Sequence, residues 1–188
     1  MKKYEFTGEV KVAFGITLHR IRAAVSFGIV VKGELGGWIE KEENLSQNGN
    51  AWVYGNARVY DNARVYDNAM VYGNAMVCDN ARVYDNARVY DNAMVYGNAM
   101  VCDNAMVYGN AMVCDNAMVC GNADYIVFKN WWSSGRCFTW TRSNNKWRVG
   151  CFFGTGAELI AKAYKDSEQS GREYERVVKY VESILNEQ

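Results

Sequence analysis

The residues best suited to base or nucleophilic chemistry in this chain are one histidine and six cysteines. A general base needs a pKa near the working pH and must reach the proton that it removes. His19 stands between Leu18 and Arg20 in a strand-like segment, far along the chain from Cys137 and Cys151. Cys151 therefore has no evident histidine to activate it as a nucleophile, and these residues are expected to pack on strands. The sequence favours a protein without a catalytic centre.

A second chemical pattern lies near the C-terminus, where aromatic and basic residues alternate. Rings that stack on a base, together with cations that contact phosphate, can bind nucleotides. Thr155 opens an expected helix, and helix N-termini attract phosphate. The alternative is a small sheet that packs its aromatic rings on helices. The predicted ligand-binding residues are Arg136, Trp140, Arg142, Trp147, Arg148 and Thr155.

Composition narrows the range of partners. Of 188 residues, 21 are basic and 21 are acidic, so no global field attracts duplex nucleic acid or an anionic membrane. The N-terminus lacks the apolar run of a signal peptide, and no stretch of about 20 apolar residues could span a bilayer. We expect a cytoplasmic protein, no cofactor, no metal, and cysteines that are thiols.

The central segment is a repeat. Twelve valines fall at six-residue spacing from Val53 to Val119, in units of the form Ala-x-Val-Tyr/Cys-Gly/Asp-Asn. Alanine and valine lie two apart and point to the same face of a strand, while asparagine tolerates the left-handed conformation expected at the turn. Residues 57–80 and 81–104 are identical, which indicates tandem duplication. The pattern predicts a β-helix over residues 51–123.

The two ends are expected to be separate units. Residues 1–50 predict a β-rich cap, with short strands at residues 3–6, 10–14 and 29–32 and a degenerate first coil over residues 33–40. Residues 124–188 predict a β-β-β-α-α domain. Its two helices are expected to start at the capping boxes Thr155–Glu158 and Ser170–Glu173.

These motifs resemble known families. The Val-Tyr-Gly-Asn-Ala units are similar to hexapeptide-repeat proteins, which implies a left-handed parallel β-helix with three hexads per coil and about four coils. The segments at residues 4–7, 17–23, 33–40, 43–47 and 50–57 resemble the YdcK-like group of bacterial and prophage proteins. Residues 147–158 and 170–174 are similar to cap domains of phage-borne chains. Members of the group are often labelled acyl- or acetyltransferases.

An 18-residue coil would stack side chains in columns. Cys102 and Cys120 would be vertical neighbours that could bind a metal or oxidise. We favour instead a spacer role in which cysteine alternates with tyrosine on the outside. On another face, a column of methionines and a neighbouring column with tyrosines would form an exposed apolar stripe. Such a stripe usually marks an interface. This stripe consists of Tyr60, Met76, Met94, Tyr96 and Met112.

The function expected from these patterns is non-enzymatic binding. The chain would be a phage- or prophage-related scaffold that presents its β-helix and C-terminal domain to a host protein or nucleotide, in a sequestering or anti-defence role. The family implies a homo-oligomer, with a trimer favoured; drift on a tolerated surface is the alternative for the stripe. An acyl-CoA-dependent O- or N-acyltransferase using His19, and a purely structural spacer, stay open as alternatives.

Overall fold

A computed structural model describes residues 2–186 and shows a mainly β protein built on a parallel β-solenoid. Its repeats form twelve two-residue strands. These are β4 (Trp52–Val53), β5 (Arg58–Val59), β6 (Arg64–Val65), β7 (Met70–Val71), β8 (Met76–Val77), β9 (Arg82–Val83), β10 (Arg88–Val89), β11 (Met94–Val95), β12 (Met100–Val101), β13 (Met106–Val107), β14 (Met112–Val113) and β15 (Met118–Val119).

The strands stack into three parallel faces with an 18-residue repeat. The first face is β4-β7-β10-β13, the second includes β5-β8-β11-β14, and the third is β6-β9-β12-β15. Every valine of the repeat is buried, as is the alanine of every hexad, because both point into the solenoid. With the degenerate coil before them, the hexads make about five turns, one more than the four that the hexads alone predict.

The turns differ from the expectation in one detail. In the first eleven hexads the left-handed conformation lies at the Asp or Gly before the asparagine, as at Asp61 (φ 55°) and Gly97 (φ 68°), and not at the asparagine. Gly121 of the last hexad is extended. The asparagine side chains instead form amide ladders from coil to coil; Asn62 Nδ2, for example, donates to Asn80 Oδ1 at 3.2 Å. Because this amide bonds along the column, the preceding residue takes the positive φ.

The N-terminal cap extends the second face. Strands β1 (Tyr4–Ala13) and β2 (Ile16–Ala23) form a hairpin, and β2 pairs with β3 (Leu35–Ile39), which pairs in parallel with β5. The strand expected at residues 29–32 is wrong, since only an isolated bridge forms there. The two strands expected at residues 3–6 and 10–14 form one strand, β1, whose pairing shifts in register between Phe6 and Val10. The first coil forms as predicted, since β3 pairs in parallel with β5. A short 3-10 helix spans Glu42–Asn44.

The C-terminal domain has four strands and not three. They are β16 (Tyr125–Lys129), β17 (Cys137–Thr141), β18 (Lys146–Val149) and β19 (Phe152–Gly154), followed by α1 (Gly156–Asp166) and α2 (Glu168–Asn186). The expected third strand is split because Gly150 (φ 56°) turns the chain. A second 3-10 helix, Asn122–Asp124, links the domain to the solenoid.

Helix α2 starts before its predicted capping box. Ser167 Oγ accepts a hydrogen bond from the Ser170 amide at 3.1 Å. Ser167 therefore caps the start of α2 in place of Ser170. The predicted apolar stripe of α2 is confirmed, with Tyr174, Val178 and Val181 buried against the sheet.

The C-terminal domain covers the last coil. Thr139 Oγ1 and Ser143 Oγ accept hydrogen bonds from the amides of Met112 (3.0 Å) and Met118 (2.7 Å), and the Tyr125 hydroxyl donates to the Met106 carbonyl. The strand edges at this end of the solenoid are thus partly satisfied by side chains. Among residues 2–186, no helix has the length and apolarity needed to cross a bilayer.

Candidate functional site

Arg136 lines two clefts of the C-terminal domain. It stands just before β17, with its Nη1 atom packed towards Gly150. One cleft, of about 360 Å³, lies against the second face, where Met94 and Met112 and the amides of Asn92 and Asn110 form its wall. The other, of about 200 Å³, lies between the sheet and the helices. One guanidinium group therefore borders both cavities.

The smaller cleft has a mixed apolar and polar lining that carries two cations and one carboxylate. Lys162 of α1 lines it together with Arg136, and neither side chain takes part in an ion pair within residues 2–186. At its wall, buried Asn130 accepts hydrogen bonds from the amide and the hydroxyl of Ser133 and donates to the Tyr174 hydroxyl at 3.3 Å. This network fixes the loop before Arg136. Asp166 is the acidic group of the lining.

The two predicted tryptophans are not ligand platforms. Trp140 and Trp147 are register partners on β17 and β18, and both are buried in the domain core, with 1% and 2% of their surface exposed. The Trp140 indole donates to Asn145 Oδ1 at 2.9 Å. The expectation that they stack on a ligand is wrong because this face of the sheet packs on the helices, which was the alternative reading.

Thr155 is also engaged within the domain. Its hydroxyl accepts a hydrogen bond from the Glu158 amide, and its own amide donates to Glu158 Oε2 at 2.7 Å. These hydrogen bonds from Thr155 lower the pKa of Glu158. A carboxylate thus occupies the helix start, and a phosphate there would be repelled.

The remaining predicted arginines lie apart from the clefts. The Arg148 guanidinium sits over the Tyr96 ring, 5.4 Å from its centroid, and its Nε atom is buried without a hydrogen-bond partner. Arg142 is exposed at the hairpin, where its amide donates to the Asp124 carbonyl. Of the six predicted ligand residues, Arg136 alone lines the two clefts.

The predicted stripe on the second face is partly covered by the chain itself. Tyr60 is buried beneath Phe14 and Leu18 of the hairpin, and burial raises its pKa. Tyr96 lies under Arg148. Met76, Met94 and Met112 are half-buried, and the latter two line the larger cleft. The structure thereby brings part of the predicted interface together with Arg136.

His19 is a strand residue, as the simpler reading predicted. It pairs with Val10 and Ile39 in the sheet, and its ring lies 5.0 Å from that of Phe6. It lines neither of the clefts at Arg136. The structure does not bring His19 near a pocket in which it could act as a base.

The expectation that all cysteines are thiols is corrected at one pair. Cys102 and Cys120 stack in neighbouring coils with their Cα atoms 4.5 Å apart, and the structure joins them as a disulfide. In-register stacking brings the two sulfur atoms together. Cys78, Cys114, Cys137 and Cys151 are free. Cys78 and Cys114 are buried beside Tyr60 and Tyr96, and burial raises their pKa values to about 11 and about 12.

Three residues of the smaller cleft were not identified from sequence. Lys162 lies in the second turn of α1, where it carries no motif, and Asn130 is a loop residue. Tyr174 was placed in the apolar stripe of α2, and its hydroxyl role has no sequence signal. The one sequence signal for Lys162 is its spacing. It lies three residues after Leu159, so it shares a side of α1 with that leucine, which is expected to be buried.

Comparison with known proteins concerns the solenoid. The YdcK Beta solenoid repeat family matches residues 51–65, 63–79, 75–91, 87–103 and 99–115. A protein of Escherichia coli (strain K12), named "Uncharacterized acetyltransferase YdcK", is 36% identical over 63 residues. That alignment covers 29% of this chain and 19% of the relative. Because the chain spans under a fifth of the relative, the likeness is one of repeats.

Proposed function

We propose, from the premise that residues 51–115 are YdcK-type β-solenoid repeats, that the chain is a non-enzymatic binding scaffold for a phosphorylated small molecule such as a nucleotide. The ligand would occupy the two clefts that border Arg136. The setting we propose is the one that the sequence resemblance implies: a phage- or prophage-related chain that sequesters a host ligand.

The observation that carries the proposal is the position of Arg136 between two cavities of different chemistry. The smaller one offers two unpaired cations and hydroxyl groups, which suit a phosphate. The larger one offers the thioethers of Met94 and Met112 and the amides of Asn92 and Asn110, which suit a flat heterocycle. Together they match the two halves of a nucleotide.

The solenoid contributes rigidity to this site. One wall of the larger cleft comes from consecutive coils of the second face, and the domain is held on the last coil by hydrogen bonds to Met112 and Met118. A wall built on regular elements is held more precisely than one built on loops. The repeat thus serves as a support for the site.

Titration calorimetry with ADP and GDP tests this function. The full chain is expected to bind at least one of them, and Arg136→Ala is expected to weaken binding about tenfold or more, since a charged hydrogen bond is lost. Arg172→Ala is the matched control. It removes the same charge from an exposed pair with Glu168 in the same domain, away from the cleft. Equal weakening by both variants, or no binding to the full chain, would contradict the proposal.

An acyltransferase is the second candidate, supported by the word acetyltransferase in the relative's name. In that case the chain would release free CoA from acetyl-CoA in the presence of an amine or alcohol, and His19→Ala would stop the release. The position of His19 in β2 favours the binding scaffold. Release of CoA that depends on His19 would sink the non-enzymatic proposal. A purely structural spacer predicts neither binding nor turnover.

A further inference from the structure

The third face of the solenoid carries two arginines one above the other. Arg64 and Arg82 are register partners on β6 and β9, in coils about 4.8 Å apart. Both side chains are exposed, and neither forms an ion pair with any residue from 2 to 186. Like charges directly opposite each other destabilise a sheet. The two arginines therefore add repulsion to this face.

The fold does not require arginine at these positions. The same column continues with Met100 and Met118, which pair in register below Arg82. Methionine therefore fits the site and brings no charge. Packing therefore does not determine the arginines of this column, and Arg82 is also the copy of Arg58 in the duplicated segment.

Two stacked tyrosine rings adjoin the Arg64 guanidinium. Tyr66 and Tyr84 stack with their ring centroids 5.0 Å apart and their planes within 3° of parallel. The Arg64 guanidinium lies 6.0 Å from the Tyr66 ring centroid. Burial raises the pKa of Tyr66, so its hydroxyl keeps its proton and can donate a hydrogen bond. The guanidinium groups of Arg64 and Arg82 and the hydroxyl of Tyr66 thus lie on the same part of the solenoid.

These residues adjoin an open groove of about 790 Å³. Arg64, Tyr66 and Asn62 form one wall, and residues 41–47, which follow β3, form the other. In that wall the Lys41 ammonium donates to the neutral Asn62 side chain at 3.4 Å, so its charge is not balanced.

Two carboxylates also line the groove, and they differ in their pairing. Glu42 is paired with Lys2, whereas Glu43 has no ion-pair partner within the described residues. Among the residues that line the groove, the unpaired cations Lys41 and Arg64 thus face one unpaired carboxylate. Arg82 adds a cation one coil further on, and Asp67 adds a carboxylate whose charge acts on Tyr66.

We propose that this groove binds a chain of phosphates, either an inorganic oligophosphate or the triphosphate of a nucleotide. The planar guanidinium groups of Arg64 and Arg82 would each fork onto a phosphoryl group, with the Lys41 ammonium as a third cation. The site is separate from the clefts at Arg136, because the two share no lining residue. It gives the scaffold a second ligand that the first proposal does not assign.

Calorimetric titration of the full chain with sodium tripolyphosphate is the test. Arg64→Met and Arg82→Met are each expected to weaken binding about tenfold, through the loss of charged hydrogen bonds. The matched control is Arg88→Met on the first face. That arginine occupies the same position of its hexad, is exposed, and lies between Met70 and Met106, so it has no cationic neighbour in its column. Its replacement is expected to leave the affinity unchanged.

Stability of the same variants supplies an independent readout. Because Arg64→Met and Arg82→Met remove a like-charge contact, their thermal midpoints without ligand are expected to equal or exceed that of the wild type. Glu43→Gln is expected to strengthen tripolyphosphate binding. A wild-type chain that binds no tripolyphosphate, or an Arg88→Met loss equal to that of Arg64→Met, would overturn the inference.

Two further measurements distinguish a nucleotide from an inorganic phosphate chain, and the groove at Arg64 from the clefts at Arg136. ATP that binds the Arg136→Ala variant as tightly as tripolyphosphate does identifies a nucleotide triphosphate, whereas tripolyphosphate binding alone to that variant identifies an inorganic chain; both support the site. Arg136→Ala is expected to leave tripolyphosphate affinity unchanged. If Arg136→Ala abolishes it and Arg64→Met does not, this inference fails while the function proposed at Arg136 stands.

Discussion

Single residues at the turns decide how closely the coils can stack. Asp and Gly share the left-handed position before asparagine, but the space around them differs from coil to coil. A Cβ at Gly97 would lie 2.7 Å from the backbone nitrogen of Asp115, whereas one at Gly109 would meet no atom within 4 Å. The φ angles of the two glycines are nearly equal, 68° and 66°. A side chain at either position would therefore meet the same backbone strain, but only a side chain at Gly97 would also clash with the neighbouring coil.

Alanine at Gly97 is accordingly expected to destabilise the protein more than alanine at Gly109. Both substitutions carry the penalty of a positive φ, and overpacking adds about 1–3 kcal/mol at Gly97. Urea unfolding of the two variants measures the difference. Equal losses would show that coil stacking adjusts freely at the turns.

A second residue-scale prediction concerns alkaline pH. The thiols of Cys78 and Cys114 have pKa values raised to about 11 and about 12, so above pH 9 the unfolded chain loses these protons before the folded one. Their contribution to stability is complete below pH 9 and is lost as pH rises towards these values.

Urea unfolding at pH 8 and pH 10 checks this behaviour. The wild type is expected to lose more stability over this interval than the Cys78→Ala/Cys114→Ala double variant. Burial lowers the pKa of Lys3 to about 8, so the contribution of this group to stability increases as pH rises. Lys3 is present in both proteins and does not affect the comparison. An identical pH dependence in the two proteins would exclude the thiols as its cause.

At the scale of elements, sequence predicts the hexads well and the connections less well. Each hexad carries its own buried pair and its own turn, so the columns at Tyr66–Tyr84 and Tyr90–Tyr108 follow from spacing alone. The ends depend on distant contacts. Residues 29–32 had strand-forming residues but no partner strand, and Gly150 divided one expected strand into two.

The candidate site was predictable only in part, for the same reason. Arg136 stood out as a basic residue among aromatics, but burial of Trp140 and Trp147 depends on helices that follow them in the chain. The basic groove at Arg64 was missed because its second wall comes from the irregular residues 41–47. Neither burial nor that wall can be read from local pattern.

The helix caps offer a test at this scale. Thr155 caps α1 with its hydroxyl, so Thr155→Ala is expected to cost about 1 kcal/mol. Ser170→Ala is the control. Ser170 lies inside α2, which begins at Glu168, and alanine there is expected to be neutral or slightly stabilising. Thermal unfolding of the two variants separates them, and an equal loss for Ser170→Ala would restore the cap that the sequence predicted.

At the scale of the whole molecule, the solenoid is closed at one end by the hairpin and at the other by the C-terminal domain. These caps cover Tyr60 and Tyr96 of the second face, and Met76 in the coil between them is half-buried. Self-association through half-buried Met76, into the trimer expected from the hexapeptide-repeat resemblance, stays a proposal. The same closure places Arg136 beside the coils, so the proposed binding of a phosphorylated ligand would need both the solenoid and the C-terminal domain.

Native mass spectrometry of the full chain, purified gently from bacterial cytosol, tests this claim most directly. We expect the wild type to retain a small phosphorylated molecule, and Arg136→Ala to lose it while Arg172→Ala keeps it. A wild-type chain that carries no added mass, and gains none after incubation with ADP or GDP, would contradict the claim that the clefts at Arg136 bind a nucleotide.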